Sequence, residues 1–354
     1  MPAVGISITD NAVRFIELVY TGGRFTVSHF AERKLPSGAI VEGYVKDKAP
    51  VVKVLSALKD EFKFSFASIS LPEQKAYIFK TQLPRLLAKE VRGALELRLE
   101  ENVPFPASET VFDYTISNAD NSHDHLDISV AALPAKAVSV YVAVAHDAGI
   151  VPVTFLTEAQ AVARAVVEAG DKRTILVVNI GDTQTVTSVV EGGILAFTSS
   201  FPIGIETLVK DISKRFSILP ERTRAFLESP EELTEAKNEV TATDFSDAFS
   251  DNVRVLRDEI EKVITYWQTR KEDGAMVAPL VEEIVLVGVR VVPWFVPYLT
   301  KESRLPTSVA NIWRNVFSFD DYIPPIISEE SLRFVAAVGL AIPPSAYLKK
   351  TFHA

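Results

Sequence analysis

One pattern occurs twice in this chain, and it constrains the fold more than any other feature. Val4 to Ile8, Val13 to Val19 and Arg24 to Glu32 read as three short strands, the last two joined at Thr21-Gly22-Gly23. Thr174 to Ile180, Thr185 to Glu191 and Leu195 to Phe201 repeat that order, with Gly192-Gly193 at the matching turn. Paired glycines between alternating apolar runs favour tight hairpins, because glycine takes positive φ without a steric penalty. A strand–turn–strand–Gly-Gly–strand unit that recurs in both halves points to two similar lobes, although the pattern alone also permits two unrelated meanders. After the first unit, Lys48 to Glu61 has Val51, Val52, Leu55 and Leu58 at helical spacing, and Ser65 to Leu71 reads as a strand. Strands followed by a helix that returns to a further strand indicate an α/β sheet with crossovers.

Between the repeats the character changes. Tyr77 to Gln82 reads as a strand, and Leu86 to Glu100 as an amphipathic helix stopped by Asn102-Val103-Pro104-Phe105-Pro106. Thr110 to Ser117 and Leu126 to Leu133 read as strands around a polar turn, and Lys136 to Ala148 as a helix. This block has the look of a small α+β module inserted in a larger domain. Beyond the second repeat, Gly204 to Phe216 is a helix and Pro230 to Asp251 an acidic, weakly patterned surface segment. Val253 to Lys271 is a long helix, Glu283 to Val287 a buried strand leading to Gly288, and Glu330 to Ile342 a helix closed by Pro343-Pro344. The expected division is a first lobe over 1–75, 151–170 and 328–342, a module over 76–150, a second lobe over 171–327 with a helical part from about 204 to 280, and a tail over 343–354.

Composition removes several functions. Acidic residues outnumber basic ones 46 to 37 and no long Lys/Arg run occurs, so no nucleic-acid partner is expected. With no cysteine there is no thiol nucleophile, disulfide, thiolate zinc site or iron–sulfur cluster, which suits a reducing compartment. The start lacks a basic stretch followed by an apolar core, and the apolar runs 137–156 and 281–299 are broken by His146 and Asp147 or by Arg290 and Pro293. A cytoplasmic protein that does not itself enter a membrane is expected. Ser37-Gly38 and Ser199-Ser200 lack a nucleophile-elbow context, and His123 and His125, with Asp124 or Asp127, lack a third clustered ligand. No catalytic residue and no metal site is assigned. Trp267, Trp294 and Trp313 read as core or interface anchors.

A set of short segments then carries a resemblance. They are Val4-Gly5-Ile6-Ser7-Ile8 with Val13 to Leu18, Leu71-Pro72-Glu73, Glu100 to Phe105 with Asp113-Tyr114, Val190 to Ile194 with Pro202-Ile203-Gly204, and Phe334 to Ala341. In order and spacing the chain resembles the actin/Hsp70-type ATPases. It resembles more closely the PilM family, the cytoplasmic actin-like component of type IV pilus assembly, related to the cell-division protein FtsA. The resemblance spans nearly the whole chain. It implies an α/β, actin-like two-lobed fold, with two RNase H-like βββαβα-type lobes and an inserted small α+β module.

In that fold the lobes clasp a nucleotide, and an Asp in each of two turns holds hydrated magnesium. Here the turns read Ser7-Ile8-Thr9 and Asn179-Ile180-Gly181, the late glycine-rich turn reads Gly288-Val289-Arg290, and the second-lobe Gly-Gly reads Gly204-Ile205. Magnesium prefers anionic oxygen, so the resemblance implies ATP with magnesium as cofactor while the residues imply weak or lost hydrolysis. Asp10 and Asp182 lie three residues further on and aim differently, and Val289 and Ile205 are expected to crowd the sugar and phosphates. If nucleotide binding is retained, its contacts fall at Asn11, Asn179, Gly181, Gly204, Gly288 and Arg290, and at Glu259 and Lys262, which also read as a surface i,i+3 pair. The resemblance further implies a partner, the cytoplasmic N-terminal segment of a PilN-like inner-membrane protein. Its groove is expected between the module and the first lobe, near Leu71, Leu86, Val91, Leu95 and Phe112, a pattern that helix packing explains equally. The partner would hold the protein at the inner face of the inner membrane, and self-association stays open. The competing readings are an active ATPase or sugar/acetate-type kinase, and an FtsA-like filament protein. The latter needs a C-terminal amphipathic helix, for which Tyr347, Leu348 and Phe352 are sparse anchors.

Overall fold

Apolar alternation and the paired glycines build the same meander twice. A computed structural model describes residues 3–117, 124–228, 240–270, 278–288 and 292–343. His123, Val289, Arg290, the tail beyond Pro343 and part of the acidic run lie outside the described residues. In the first half β1 (Ala3–Ile8), β2 (Ala12–Thr21) and β3 (Arg24–Lys34) pair antiparallel. In the second half β11 (Thr174–Ile180), β12 (Thr185–Glu191) and β13 (Ile194–Phe201) do the same. Gly22 and Gly23 have φ of 63° and 86°, and Gly192 and Gly193 have φ of 57° and 79°, the positive values that a two-residue hairpin turn requires. Each meander also carries one register shift between its second and third strands, at Glu17/Leu18 and at Val189/Val190.

Both sheets are completed by parallel strands. The first runs β10-β6-β1-β2-β3, with β6 (Phe66–Leu71) beside β1 and β10 (Val151–Thr157) beside β6. The second runs β13-β12-β11-β14-β15, with β14 (Glu283–Gly288) beside β11 and β15 (Thr307–Val309) outermost. Read from the third meander strand outward, the two orders are identical, which makes the repeat one of topology as well as of pattern. A small hairpin, β4 (Ile40–Val41) and β5 (Tyr44–Val45), precedes α1 (Lys48–Phe62), the crossover to β6. Asp47 caps α1 by accepting the Ala49 N–H at 3.0 Å.

The inserted module is a three-stranded antiparallel sheet, β7 (Tyr77–Pro84), β9 (His125–Pro134) and β8 (Thr110–Ile116) in the order β7-β9-β8, covered by α2 (Ala88–Asn102). Val91, Leu95 and Leu99 form the buried stripe of α2 against Phe112, Ile128 and Val130. The following α3 (Ala135–Asp147) buries Tyr141, Val144 and Ala145 in the core of the first sheet.

Two helices bind the architecture together. Thr157 caps α4 (Glu158–Val166) through a capping box with Gln160, and α4 packs against α10 (Val335–Ala341). A side chain at Gly5 would bring its Cβ within 2.0 Å of the Ala337 carbonyl oxygen, and one at Gly339 within 1.7 Å of that of Ala161. Glycine therefore sets how closely β1, α10 and α4 approach. In the second lobe α5 (Ile205–Phe216) and α6 (Pro220–Glu228) precede α7 (Ala242–Thr269), and α8 (Val292–Ser303) and α9 (Ser328–Ser331) complete the helices. The long helix starts eleven residues before the expected Val253, since the Thr241 hydroxyl accepts the Asp244 N–H at 3.1 Å. Phe245, Ala248, Phe249 and Val253 then continue one buried face, so residues 242–251 are helix rather than a loose acidic segment.

Candidate functional site

The twofold fold brings the two meander turns face to face. Between them lies a narrow cleft with about 70 Å³ of free space, lined from the first half by residues 7–11, Arg14, Tyr141 and Glu158, and from the second by residues 179–184 and Gly288. Arg333 and Ala336 close one side. Asn11, Asn179, Gly181 and Gly288 of the expected nucleotide residues meet there.

Most polar groups of the turns are spent on the protein itself. The Ile8 N–H donates to Ser70 Oγ at 2.8 Å, and the Thr9 N–H to the Ala12 carbonyl at 2.9 Å. Asp10 accepts the Glu42 N–H at 2.7 Å through Oδ2 and the Gly43 N–H at 3.0 Å through Oδ1. That carboxylate fixes the β4–β5 turn, where Glu42 and Gly43 have φ of 49° and 74°. On the other side the Gly181 N–H donates to the Gln184 carbonyl at 2.8 Å, and the first amides of α5 are capped by the turn, Ile205 N–H on Gly181 and Glu206 N–H on the Asp182 carbonyl.

Three expected nucleotide glycines have a packing reason. A Cβ on Gly204 would lie 2.5 Å from the Asp182 oxygen, on Gly181 2.9 Å from that of Gln184, and on Gly288, with φ of 120°, 2.0 Å from that of Ile180. Gly204 sits behind the turn at the start of α5 and does not line the cleft. Ile205 is buried in the core, so its side chain does not crowd the cleft as expected. Glu259 and Lys262 are also outside it: the Lys262 ammonium donates to Glu259 at 2.7 Å on an exposed stretch of α7.

Charged residues that the sequence did not flag dominate the floor. Arg14 on β2 is buried and donates from Nε to Glu32 at 2.6 Å, with its NH2 group 3.8 Å from Asp182 of the second lobe. Glu158 opens α4 and accepts a hydrogen bond from Asn179 Nδ2 at 3.0 Å. Burial, reinforced by the nearby Glu73 charge and opposed by Arg14 and the Asn179 bond, pushes the Glu158 carboxyl up to about 7. Glu73, of the Leu-Pro-Glu segment, is also buried; its Oε2 accepts the Ala159 N–H at 3.0 Å, and burial raises its pKa against that bond and the hydroxyls of Thr198 and Thr157. The Tyr141 hydroxyl donates to the Gly43 carbonyl at 3.1 Å and is held above the ordinary tyrosine range by burial and by Asp10 and Glu158. The advance signals for these groups were two matching segments, Val13 to Leu18, which holds Arg14, and Leu71-Pro72-Glu73.

A magnesium–nucleotide fits this donor set poorly. Magnesium needs hard oxygens free to coordinate it, but Asp10 is satisfied by amides, Asp182 faces a guanidinium, and Asn179 turns its NH2 toward Glu158. Among the described residues no group of three His, Asp or Glu side chains is placed to hold a metal ion.

The expected groove residues fall in two places. Leu71 is in the core of the first lobe, whereas Val91, Leu95 and Phe112 are inside the module with half-buried Leu86 packed against them. A separate, wider groove of about 510 Å³ runs between β7 and the second lobe, lined by Tyr77, Phe79, Lys80, Phe197 and Tyr266. The module meets that lobe through Lys80 and Glu191 at 2.8 Å and through Ser129, whose hydroxyl donates to the Leu195 carbonyl.

Comparison with known proteins gives the same architecture. A family model described as type IV pilus assembly protein PilM matches residues 5–344. Among solved structures, the PilM-PilN type IV pilus biogenesis complex matches with a TM-score of 0.74 at 20% identity, over 99% of this chain and 98% of that one. The ethanolamine utilization protein EutJ from Carboxydothermus hydrogenoformans matches with 0.57 at 14% identity, over 97% and 89%. MreB5 of Spiroplasma citri bound to ADP matches with 0.53 at 10% identity, over 99% of each. At these identities the structural likenesses establish the fold, an actin-like one.

Proposed function

This chain belongs to the family of type IV pilus assembly protein PilM, and on that premise we propose that it is a scaffold of pilus assembly that binds the cytoplasmic N-terminal segment of a PilN-like inner-membrane protein. The observation that carries the proposal is the family match over residues 5–344, joined to a chain-length likeness to the PilM of a PilM-PilN complex. Such binding would keep the protein at the inner face of the inner membrane. Among the described residues no helix is long and apolar enough to cross a membrane, so a membrane position is supplied by the partner.

The protein acts by holding, and ATP hydrolysis contributes nothing to that role. The engaged carboxylates of Asp10 and Asp182 support this part of the proposal. We infer that the segment docks between the inserted module and the first lobe, near Leu71, Leu86, Val91, Leu95 and Phe112, of which Val91, Leu95 and Phe112 belong to the module core. Calorimetric titration with a synthetic N-terminal segment of a PilN-type protein tests the reading. Saturable heat at one segment per chain is expected, whereas no heat at high concentration overturns it. Steady release of phosphate from ATP in the presence of magnesium would favour the ATPase reading instead.

A further inference from the structure

The cleft contains cross-lobe contacts that the scaffold role does not use. Arg14 stands on β2 of the first sheet, and Asp182 on the turn after β11 of the second, with 3.8 Å between guanidinium and carboxylate. Glu158 stands on α4 and Asn179 on β11, joined by a 3.0 Å hydrogen bond. Glu73, from the loop after β6, lies beside Thr198 of β13. Two separate first-lobe elements thus touch two second-lobe positions across one narrow space, and Glu73 and Thr198 add a contact between the lobes outside it.

Charge arithmetic shows what holds this together. Asp10, Glu158 and Asp182 line the cleft and Glu32 lies behind it on Arg14, and against them stand Arg14 and Arg333, the latter 3.8 Å from Glu32. A guanidinium keeps its charge at every relevant pH and can serve two carboxylates at once through its fixed fork of donors. Arg14 does so, binding Glu32 in its own sheet and reaching Asp182 across the cleft. A bound metal ion would screen such carboxylates only while present, but Arg14 is part of the chain.

We propose that Arg14–Asp182 and Asn179–Glu158 form a side-chain latch that joins the two lobes in place of a bound metal–nucleotide, so that the lobe arrangement is set without either. The latch makes this protein a fixed scaffold rather than a nucleotide-driven clamp. Asp182 is the variable half of the latch, because its side chain is 22% exposed and its removal leaves Arg14 still paired with Glu32.

The absence of cysteine allows a direct test. Spin labels placed at Lys53→Cys on α1 and Lys214→Cys on α5, both exposed positions, report the distance between lobes by pulsed electron resonance. One narrow distribution is expected, unchanged by millimolar ATP with magnesium, and the apparent melting temperature should not move with the nucleotide either. Asp182→Ala should broaden or lengthen the distribution, Asn179→Ala should do so through the second contact, and Arg14→Lys should broaden it as well, because an ammonium lacks the fork that serves Glu32 and Asp182 at once. A wild-type distribution that shifts with ATP and magnesium overturns the latch. So does an Asp182→Ala, Asn179→Ala double variant that keeps the wild-type distribution.

Discussion

At the residue scale the most exacting demand is on glycine. A methyl at Gly339 would sit 1.7 Å from the Ala161 carbonyl oxygen, against backbone with no flexible side chain to yield. Gly339→Ala should cost more than about 3 kcal/mol, the upper part of the range for overpacked cores, and denaturant midpoints would show it. Gly93, whose Cβ would meet nothing within 4 Å, is the control: Gly93→Ala should be neutral or slightly stabilising. Glu158 makes a second prediction. Its folded-state pKa of about 7 lies above the usual 4.5, so between those values the native state keeps a proton that the unfolded chain has lost. Its contribution to stability therefore falls as pH rises through that window and levels off above it, by about 3 kcal/mol in all at about 1.4 kcal/mol per unit. Glu158→Gln should flatten the fall, and the stability difference between variant and wild type should grow from pH 4.5 to pH 7. The glycines of the hairpins were legible in sequence because a positive φ is a local demand. Gly5 and Gly339 were seen only as parts of matching segments, since their role depends on a backbone far away in the chain.

At the element scale α4 is the junction piece, and both of its ends are held from outside. Asn315 caps its end, donating to the Arg164 and Val167 carbonyls at 2.9 and 2.6 Å and accepting the Ala169 N–H at 3.2 Å. Asn315→Ala strands the buried Val167 carbonyl and two half-buried groups and should destabilise by about 1 to 3 kcal/mol, measurable by chemical denaturation, with Asn315→Asp restoring only the acceptor. The start of α7 shows why boundaries were less legible than existence. Thr241 and Asp244 sit among acidic residues that look unpatterned, and only the buried Phe245, Ala248 and Phe249 reveal the helical face. Thr241→Ala should cost about 1 kcal/mol, the usual value of an N-cap. Proximity was legible where residues share one turn, as with Asn179 and Gly181, which both line the cleft. It was read least well where partners come from different elements, as Arg14, Asp182 and Glu158 do.

At the scale of the whole molecule, two topologically identical sheets face each other across a cleft bridged by Arg14–Asp182 and Asn179–Glu158. In the proposed account the lobes supply a fixed frame and the module supplies additional surface for a protein partner. The central claim is that partner binding is intrinsic to the folded chain. It is tested most directly by calorimetric titration of a PilN-type N-terminal segment into the protein, once without nucleotide and once with ATP and magnesium in excess. The account predicts one segment bound per chain with the same affinity in both titrations. Binding that appears only with ATP and magnesium, or no binding in either, would contradict it.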